Sequence, residues 1–233
     1  METLNLKQIP LTWKTFSGEF PYKCKGHQTV VCKQHILFIG GHIVGKGKSD
    51  LIYEIRITGT TSHVFKELCH MPESRKNHGA EAVDDKVLIF GGWGKDSKVL
   101  SSVLEFDQRT LTFKQMPPLP HPLAGMATVQ WRDQVVLLGG YDGREKLNSV
   151  FMYDSKTGTI TVLPSMLEKN RCCAVITDDT IVVMGGMSDE GNYLKSVECF
   201  KMGSSSSWTY LPSMNETREE AIAEVLPFGQ EYV

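Results

Sequence analysis

The chain has 233 residues, of which 41% are hydrophobic and 22% are charged, and its formal net charge is −2. This composition is typical of a globular domain, and the near-neutral charge gives no general attraction to nucleic acid or to an anionic membrane. No apolar stretch approaches the roughly 18 residues that cross a bilayer, and the first residues lack a signal peptide's basic and apolar regions. We therefore expect a cytoplasmic protein with no nucleic-acid or membrane partner.

Four glycine pairs recur along the chain, each directly after a short apolar run. They are Gly40-Gly41, Gly91-Gly92, Gly139-Gly140 and Gly185-Gly186, spaced 46 to 51 residues apart. A repeat of this length is typical of arrays in which each unit buries its faces against its neighbours.

Each repeat predicts four strands in the same order. In the second repeat, the polar pair Asp84-Asp85 joins a first strand to the apolar second strand, Val87 to Phe90, which ends at the glycine pair. A third strand carries Phe106, and a fourth carries Phe113 before Met116-Pro117. Four antiparallel strands, with aromatic residues on the outer two and glycines on the inner two, predict one blade of an all-β propeller.

The repeats divide the chain into one domain, 1–233, with complete blades at about 22–70, 75–117, 122–164 and 170–212. Residues 2–16 match a third and a fourth strand, and residues 217–233 match a first and a second. We predict that these two segments form a composite fifth blade, which would close the ring without free edges. The alternative is part of a six-bladed ring that is left open.

Catalytic, metal and cofactor signatures are missing. The seven histidines form no metal-binding pair, and no nucleophile elbow or phosphate-binding glycine loop occurs. The six cysteines include no Cys-x-x-Cys pair and are interpreted as reduced, small hydrophobic residues. We predict no catalytic residue, no metal and no cofactor, and we leave open a redox role for Cys172-Cys173.

The third repeat resembles a kelch repeat. The matching residues are Gly139-Gly140-Tyr141-Asp142-Gly143, then Leu147-Asn148-Ser149-Val150, Tyr153-Asp154 and Leu163-Pro164-Ser165-Met166. The pattern is close to that of BTB-kelch adaptor proteins and covers nearly the whole chain, although the 233 residues include no BTB segment. The resemblance implies a non-catalytic module that binds a protein or peptide. Substrate recognition for ubiquitin ligation would then reach a cullin-type ligase only through another chain. Enzymatic kelch propellers of the epimerase or oxidase type, and actin-binding kelch proteins, are the alternatives.

The resemblance also implies a binding face at the mouth of the central channel. Basic residues at the start of the first strands are expected there: Arg75, Arg171 and Arg218, with Lys25 as a weaker match. The third repeat departs from this pattern, because it has Pro122-Leu123 at that position. The residues directly after the glycine pairs are His42, Trp93, Tyr141 and Met187, and they should lie at the same rim.

Positive charge, including Lys46, gathers in the first two repeats, which favours an acidic peptide as partner. The alternative interpretation is that these charges solvate loops and that the arginines join one blade to the next.

Overall fold

The computed structural model describes residues 22–57, 63–168, 171–188 and 190–225, together with two short N-terminal strands. Within these ranges the chain folds into antiparallel β-sheets, and the single helical element is a 3₁₀ turn at Lys95–Ser97. No helix in the described ranges is long and apolar enough to cross a bilayer.

The strands are numbered in chain order. The N-terminal pair consists of β1 (Glu2–Leu4) and β2 (Trp13–Thr15). A small ribbon contains β3 (Cys24–Lys25), β6 (His42–Ile43) and β7 (Gly47–Lys48), next to blade 1 with β4 (Gln28–Cys32), β5 (His35–Ile39), β8 (Leu51–Ile57) and β9 (His63–His70).

Three further four-stranded sheets follow in the same order. Blade 2 contains β10 (Gly79–Val83), β11 (Lys86–Phe90), β12 (Val103–Asp107) and β13 (Thr112–Met116). Blade 3 contains β14 (Ala127–Trp131), β15 (Gln134–Tyr141), β16 (Lys146–Asp154) and β17 (Ile160–Leu163). Blade 4 contains β18 (Cys173–Thr177), β19 (Thr180–Met184), β20 (Val197–Lys201) and β21 (Thr209–Leu211). The predicted all-β architecture of four-stranded antiparallel blades is confirmed.

The hydrophobic core is distributed between the blades. The innermost strands β4, β10, β14 and β18 contact one another in succession, and an apolar cluster fills each space between neighbouring blades. Alternate residues of β11 face opposite clusters: Val87 and Ile89 pack against blade 1, and Leu88 and Phe90 pack against blade 3. Both faces of the strand are buried, which explains why its sequence is continuously apolar instead of alternating.

Outer aromatic side chains connect blade 3 to blade 2 and blade 4 to blade 3. The ring of Tyr153 is buried, and its hydroxyl donates to the carbonyl of Pro117 at 2.9 Å. Trp208 is 4% exposed, and its indole N–H donates to the carbonyl of Pro164 at 2.8 Å. The aromatic residue of one blade therefore binds the proline segment that ends the preceding blade.

Every glycine of the four pairs has a positive φ, a conformation that costs a residue with a β-carbon roughly 1–2 kcal/mol. Space is also short, because a β-carbon on Gly91 would lie 2.1 Å from the carbonyl oxygen of Leu123. The second glycine of a pair donates its N–H to the segment that leads into the next blade: Gly41 to Arg75, Gly92 to Leu123, and Gly186 to Arg218, at 2.7–2.9 Å. The pairs thus join consecutive blades.

The structure describes only part of the two segments predicted to form the fifth blade. Strands β1 and β2 pair antiparallel, with Leu4 opposite Trp13, as predicted for the N-terminal half. Residues 218–225 form no strand, contrary to the prediction of a first strand there. Such a strand needs a second strand beside it, and the predicted one, near Val233, lies outside the described residues. Closure of the ring stays a prediction.

Candidate functional site

The loops after the glycine pairs and the segments between blades lie at the same end of every blade, because the strands alternate in direction. We call this end the doublet face. The residue after each pair forms a short backbone ribbon there: His42 pairs with Lys25 and Lys48, Trp93 with Lys76 and Val99, Tyr141 with Ala124 and Lys146, and Met187 with Tyr193. All four residues are partly exposed. The four blades therefore present equivalent positions at one rim.

Two of these rim residues contact each other across a blade boundary. The rings of Trp93 and Tyr141 stack, with centroids 5.6 Å apart and planes 23° apart. A partly exposed aromatic pair of this kind offers a large and rigid contact area, as hot-spot residues in protein interfaces do.

Backbone hydrogen bonds join the segments that lead into the first strands of blades 1, 2 and 3. The N–H of Asn77 donates to the carbonyl of Gly26, and the N–H of Gly125 donates to the carbonyl of Asn77, both at 2.7 Å. The side chain of Arg171 lies beside Gly125, because a β-carbon on Gly125 would lie 3.7 Å from it. The placement of Arg171 at a channel mouth stays a prediction.

Arg75 does not lie on the surface, so its assignment to partner binding needs correction. The residue is 1% exposed, and its guanidinium donates to the carbonyl of Gly91 at 2.9 Å and to the hydroxyl of Ser102 at 3.2 Å. Its backbone N–H binds the carbonyl of Ser49 in blade 1. Burial lowers the pKa of Arg75 to about 10, which leaves it charged at neutral pH. Arg75 joins blades 1 and 2, which agrees with the alternative interpretation of this residue.

The other two arginines are accessible but carry acidic neighbours. Arg171 has a side chain 32% exposed, and its Nη1 lies 3.6 Å from carboxylate oxygens of Glu219 and Glu220. Arg218 is 58% exposed at its side chain, and its Nη2 lies 3.4 Å from Glu216. This side of the doublet face is therefore close to neutral.

Lys25 corresponds to a different position from the one expected. It pairs with His42 as Lys76 pairs with Trp93, so its counterpart in blade 2 is Lys76 and not Arg75. Lys76 is partly exposed, and an assignment based on arginine alone misses it. Lys46 is exposed and lies over the ring of Tyr22, with its Nζ 4.2 Å from the ring centroid.

The lysines at the doublet face of blades 1 and 2 form a surface that we call the basic arc. Its members are Lys23, Lys25, Lys46, Lys48, Lys76, Lys95 and Lys98. None of them is ion-paired with a carboxylate in the part of the chain that the structure describes. Unpaired charges on exposed loops are available to a partner and have little desolvation cost until one binds.

Within the described ranges, no group of three or more His, Cys, Asp or Glu residues could hold a metal ion. All six cysteines are free. Burial raises the pKa of the Cys172 and Cys173 thiols, which disfavours the thiolate form that redox reactivity needs.

Comparisons with known proteins agree with this architecture. The family described as "KLHDC2/KLHL20/DRC7 Kelch-repeats domain" matches residues 26–224. The kelch-like protein terF of Aspergillus terreus is 28% identical over 167 residues, covering 63% of this chain and 36% of that protein. Kelch repeat and BTB domain-containing protein 2 of cowpox virus is 28% identical over 115 residues, covering 48% and 20%.

Kelch domain-containing protein 10 of Xenopus tropicalis is 24% identical over 172 residues, covering 68% of this chain and 40% of that protein. The chain thus spans about a fifth to two fifths of the length of these relatives. The solved structure of YjhT superposes with a TM-score of 0.73 at 14% identity, covering 85% of this chain and 68% of that one, which shows a shared fold. Because the family match covers most of the glycine-paired blades, the chain belongs to the kelch-repeat family.

Proposed function

We propose that this chain is a non-catalytic binding module that takes a protein or peptide on its doublet face. The observation that carries the proposal is the combination of the Trp93–Tyr141 stack with the unpaired basic arc beside it. The stack would supply a rigid apolar anchor, and the lysines would supply attraction for negative charge.

An acidic segment fits this surface best. Lys76 bridges to Trp93 through the backbone, and Lys46 and Lys25 lie on the adjoining blade, so positive charge flanks the aromatic pair on the blade 1 side. On the opposite side Glu216, Glu219 and Glu220 accompany the two accessible arginines. A segment with acidic residues over blades 1 and 2 would match this uneven charge.

Substrate recognition for ubiquitin ligation is the narrower form of this proposal. One relative carries a BTB domain in its name, and a chain that lacked such a domain would need a second protein to reach a cullin-type ligase. In this form the doublet face would select the substrate, in a cytoplasmic setting, and the ligase contact would lie on the other protein.

Affinity enrichment from cell extract, followed by lysine-directed cross-linking and mass spectrometry, tests the proposal. We expect cross-links from bound proteins to Lys25, Lys46 or Lys76. The double variant Lys25→Glu/Lys46→Glu and the variant Trp93→Ala should each lose most of the enriched protein. Lys114→Glu is the matched control, because Lys114 is an exposed lysine on the outer strand of blade 2.

Retention of the same proteins by both doublet-face variants would contradict the proposed surface. Turnover of a small molecule that disappears in Trp93→Ala but not in Lys114→Glu would favour the enzymatic alternative.

A further inference from the structure

A cleft opens between blades 1 and 2 at the end opposite the doublet face. Its volume is about 470 Å³, which falls within the range of small-molecule sites. It is bounded by the turn between the first two strands of blade 1, by the corresponding turn of blade 2, and by the loop after β12. None of the doublet-face residues lines it.

One wall of the cleft is organised by a buried carboxylate. The side chain of Glu54 is only 3% exposed, and its Oε2 accepts a hydrogen bond from Nε of Arg56 at 2.8 Å and lies 2.8 Å from Nη2 of the same residue. Nδ1 of His35 contacts Oε1. Burial raises the pKa of Glu54, but the hydrogen bonds from Arg56 and His35 outweigh it and hold the pKa below its usual value. Glu54 therefore stays ionised and holds the Arg56 guanidinium at the cleft.

The other wall has two cations and one carboxylate. Asp85 lies 2.8 Å from Nζ of Lys33 and 3.5 Å from Nη2 of Arg109. Lys66 stands opposite Glu54 in the β8–β9 register but forms no ion pair with any described residue. The cleft thus holds four cations against two carboxylates, a formal excess of two positive charges.

Apolar surface lies beside these charges. Leu68 is the extra residue of a β-bulge in β9, because Ile52 pairs with Cys69 and Tyr53 pairs with Glu67. Bulges often redirect side chains next to binding sites. Leu111 lies in the loop after β12, at a positive φ, and is 40% exposed. Both leucines line the cleft and offer contact to an organic group.

We propose that this cleft binds a phosphate monoester, with the phosphate among Lys33, Arg56, Lys66 and Arg109 and its organic group against Leu68 and Leu111. A phosphate monoester carries about −1.5 to −2 charges at neutral pH, which matches the excess of two, and a single carboxylate matches only half of it. Arginine binds phosphate oxygens through paired N–H groups, which favours the same ligand.

Calorimetric titration of the full chain with phenyl phosphate tests this inference. We expect saturable binding at low ionic strength that weakens at least tenfold when salt rises to half-molar, because exposed charges are screened. Inorganic phosphate should bind more weakly, because it lacks the apolar group, and benzenesulfonate at least fivefold more weakly, because it is a monoanion. A phosphotyrosine tripeptide distinguishes the two sources of the phosphate. If the natural ligand is a phosphate carried by a protein, the tripeptide should bind more tightly than phenyl phosphate. If it is a free small molecule, the tripeptide should not bind more tightly.

Lys66→Glu and Arg109→Glu together should weaken phenyl phosphate binding at least tenfold. Lys114→Glu is the control, because Lys114 stands opposite Glu105 in blade 2 as Lys66 stands opposite Glu54 in blade 1. Thermal melts should show that the variants remain folded. Absence of saturable phenyl phosphate binding up to millimolar concentration, or equal weakening by Lys114→Glu, overturns the inference. Because no doublet-face residue is altered, its failure would leave the proposed protein-binding function untouched.

Discussion

The position of Arg75 recurs in the other blades, where different residues occupy it. Arg75, Leu123 and Arg218 have the same backbone contacts: each N–H donates to the preceding blade, and each carbonyl accepts from the second glycine of a pair. In blade 2 the Arg75 guanidinium binds Ser102. In blade 3 leucine takes its place, and the hydroxyl of Ser149, which corresponds to Ser102, has no partner among the described residues. The position therefore tolerates a blade without the arginine, at a cost.

We expect Arg75→Leu, which copies blade 3, to lower the free energy of unfolding by roughly 2–3 kcal/mol, since it removes charged hydrogen bonds to Gly91 and Ser102. Urea unfolding measures the change. Arg171→Leu is the control and should cost under about 1 kcal/mol, because its ion pairs are partly exposed. An Arg75→Leu protein of unchanged stability that no longer binds partners would return Arg75 to the binding surface.

His78 makes the stability of the fold dependent on pH. It is completely buried, and neither ring nitrogen has a hydrogen-bond partner among the described residues. Burial, with added repulsion from Arg75 and His27, lowers the pKa of His78 to about 3. Its folded-state pKa thus lies below the unfolded value near 6.5, so its contribution is present above pH 6.5 and is lost as pH falls towards 3.

Between these values the unfolded chain binds one more proton at this site, so stability should fall by about 1.4 kcal/mol per pH unit below pH 6. The backbone contacts of Lys76 and Ala124 place Met126 where His78 lies, so His78→Met copies the neighbouring blade. Urea unfolding between pH 7 and pH 4 measures how the free energy of unfolding varies with pH. In this variant the slope should fall by the equivalent of about one proton. An unchanged slope would mean that the His78 ring reaches water.

At the scale of the element, each glycine pair meets two requirements, a positive φ and a lack of space for a β-carbon, and substitutions can separate them. Gly45 and Gly91 both have positive φ, but a β-carbon on Gly45 meets nothing within 4 Å, whereas one on Gly91 meets Leu123 and Leu100 carbonyls at 2.1 and 3.0 Å. We expect Gly45→Ala to cost about 1 kcal/mol from backbone strain alone, and Gly91→Ala roughly 2–4 kcal/mol, since overpacking adds to it. Chemical denaturation should separate the two, and equal costs would mean that the blades can move apart at the pair.

The strands of each blade could be predicted because local patterns determine them. Val87 to Phe90 is apolar at every position since both faces of β11 are buried, and Gly91-Gly92 ends the run because the chain must turn there beside Leu123. The rim positions of Trp93 and Tyr141 followed from the same register. The direction of the Arg75 side chain could not be predicted, because it depends on carbonyl and hydroxyl acceptors that the chain supplies 16 and 27 residues later.

At the scale of the whole molecule, the sequence also could not reveal the cleft beside Glu54. Its charges come from five separate stretches of the chain, and the bulge that leaves Leu68 unpaired arises from the pairing of β8 with β9. Each of these residues has an ordinary surface interpretation in the sequence. They form a cleft only because blade 1 packs against blade 2, which places two acidic residues among four cations.

The two ends of the chain lead to the last prediction, which concerns closure of the ring. Strands β1 and β2 pair with each other, and the prediction assigns them as the third and fourth strands of a blade. If residues 217–233 complete the blade, backbone amides in 226–233 should exchange slowly with deuterium, since sheet hydrogen bonds protect them. Trp13→Ala should then speed exchange both in Glu2–Leu4 and in 226–233. The control Trp131→Ala, which removes a hydrogen bond to Asp179 between blades 3 and 4, should leave 226–233 protected. Fast exchange of 226–233 in the unaltered chain would instead support an open ring whose terminal blade has a free edge.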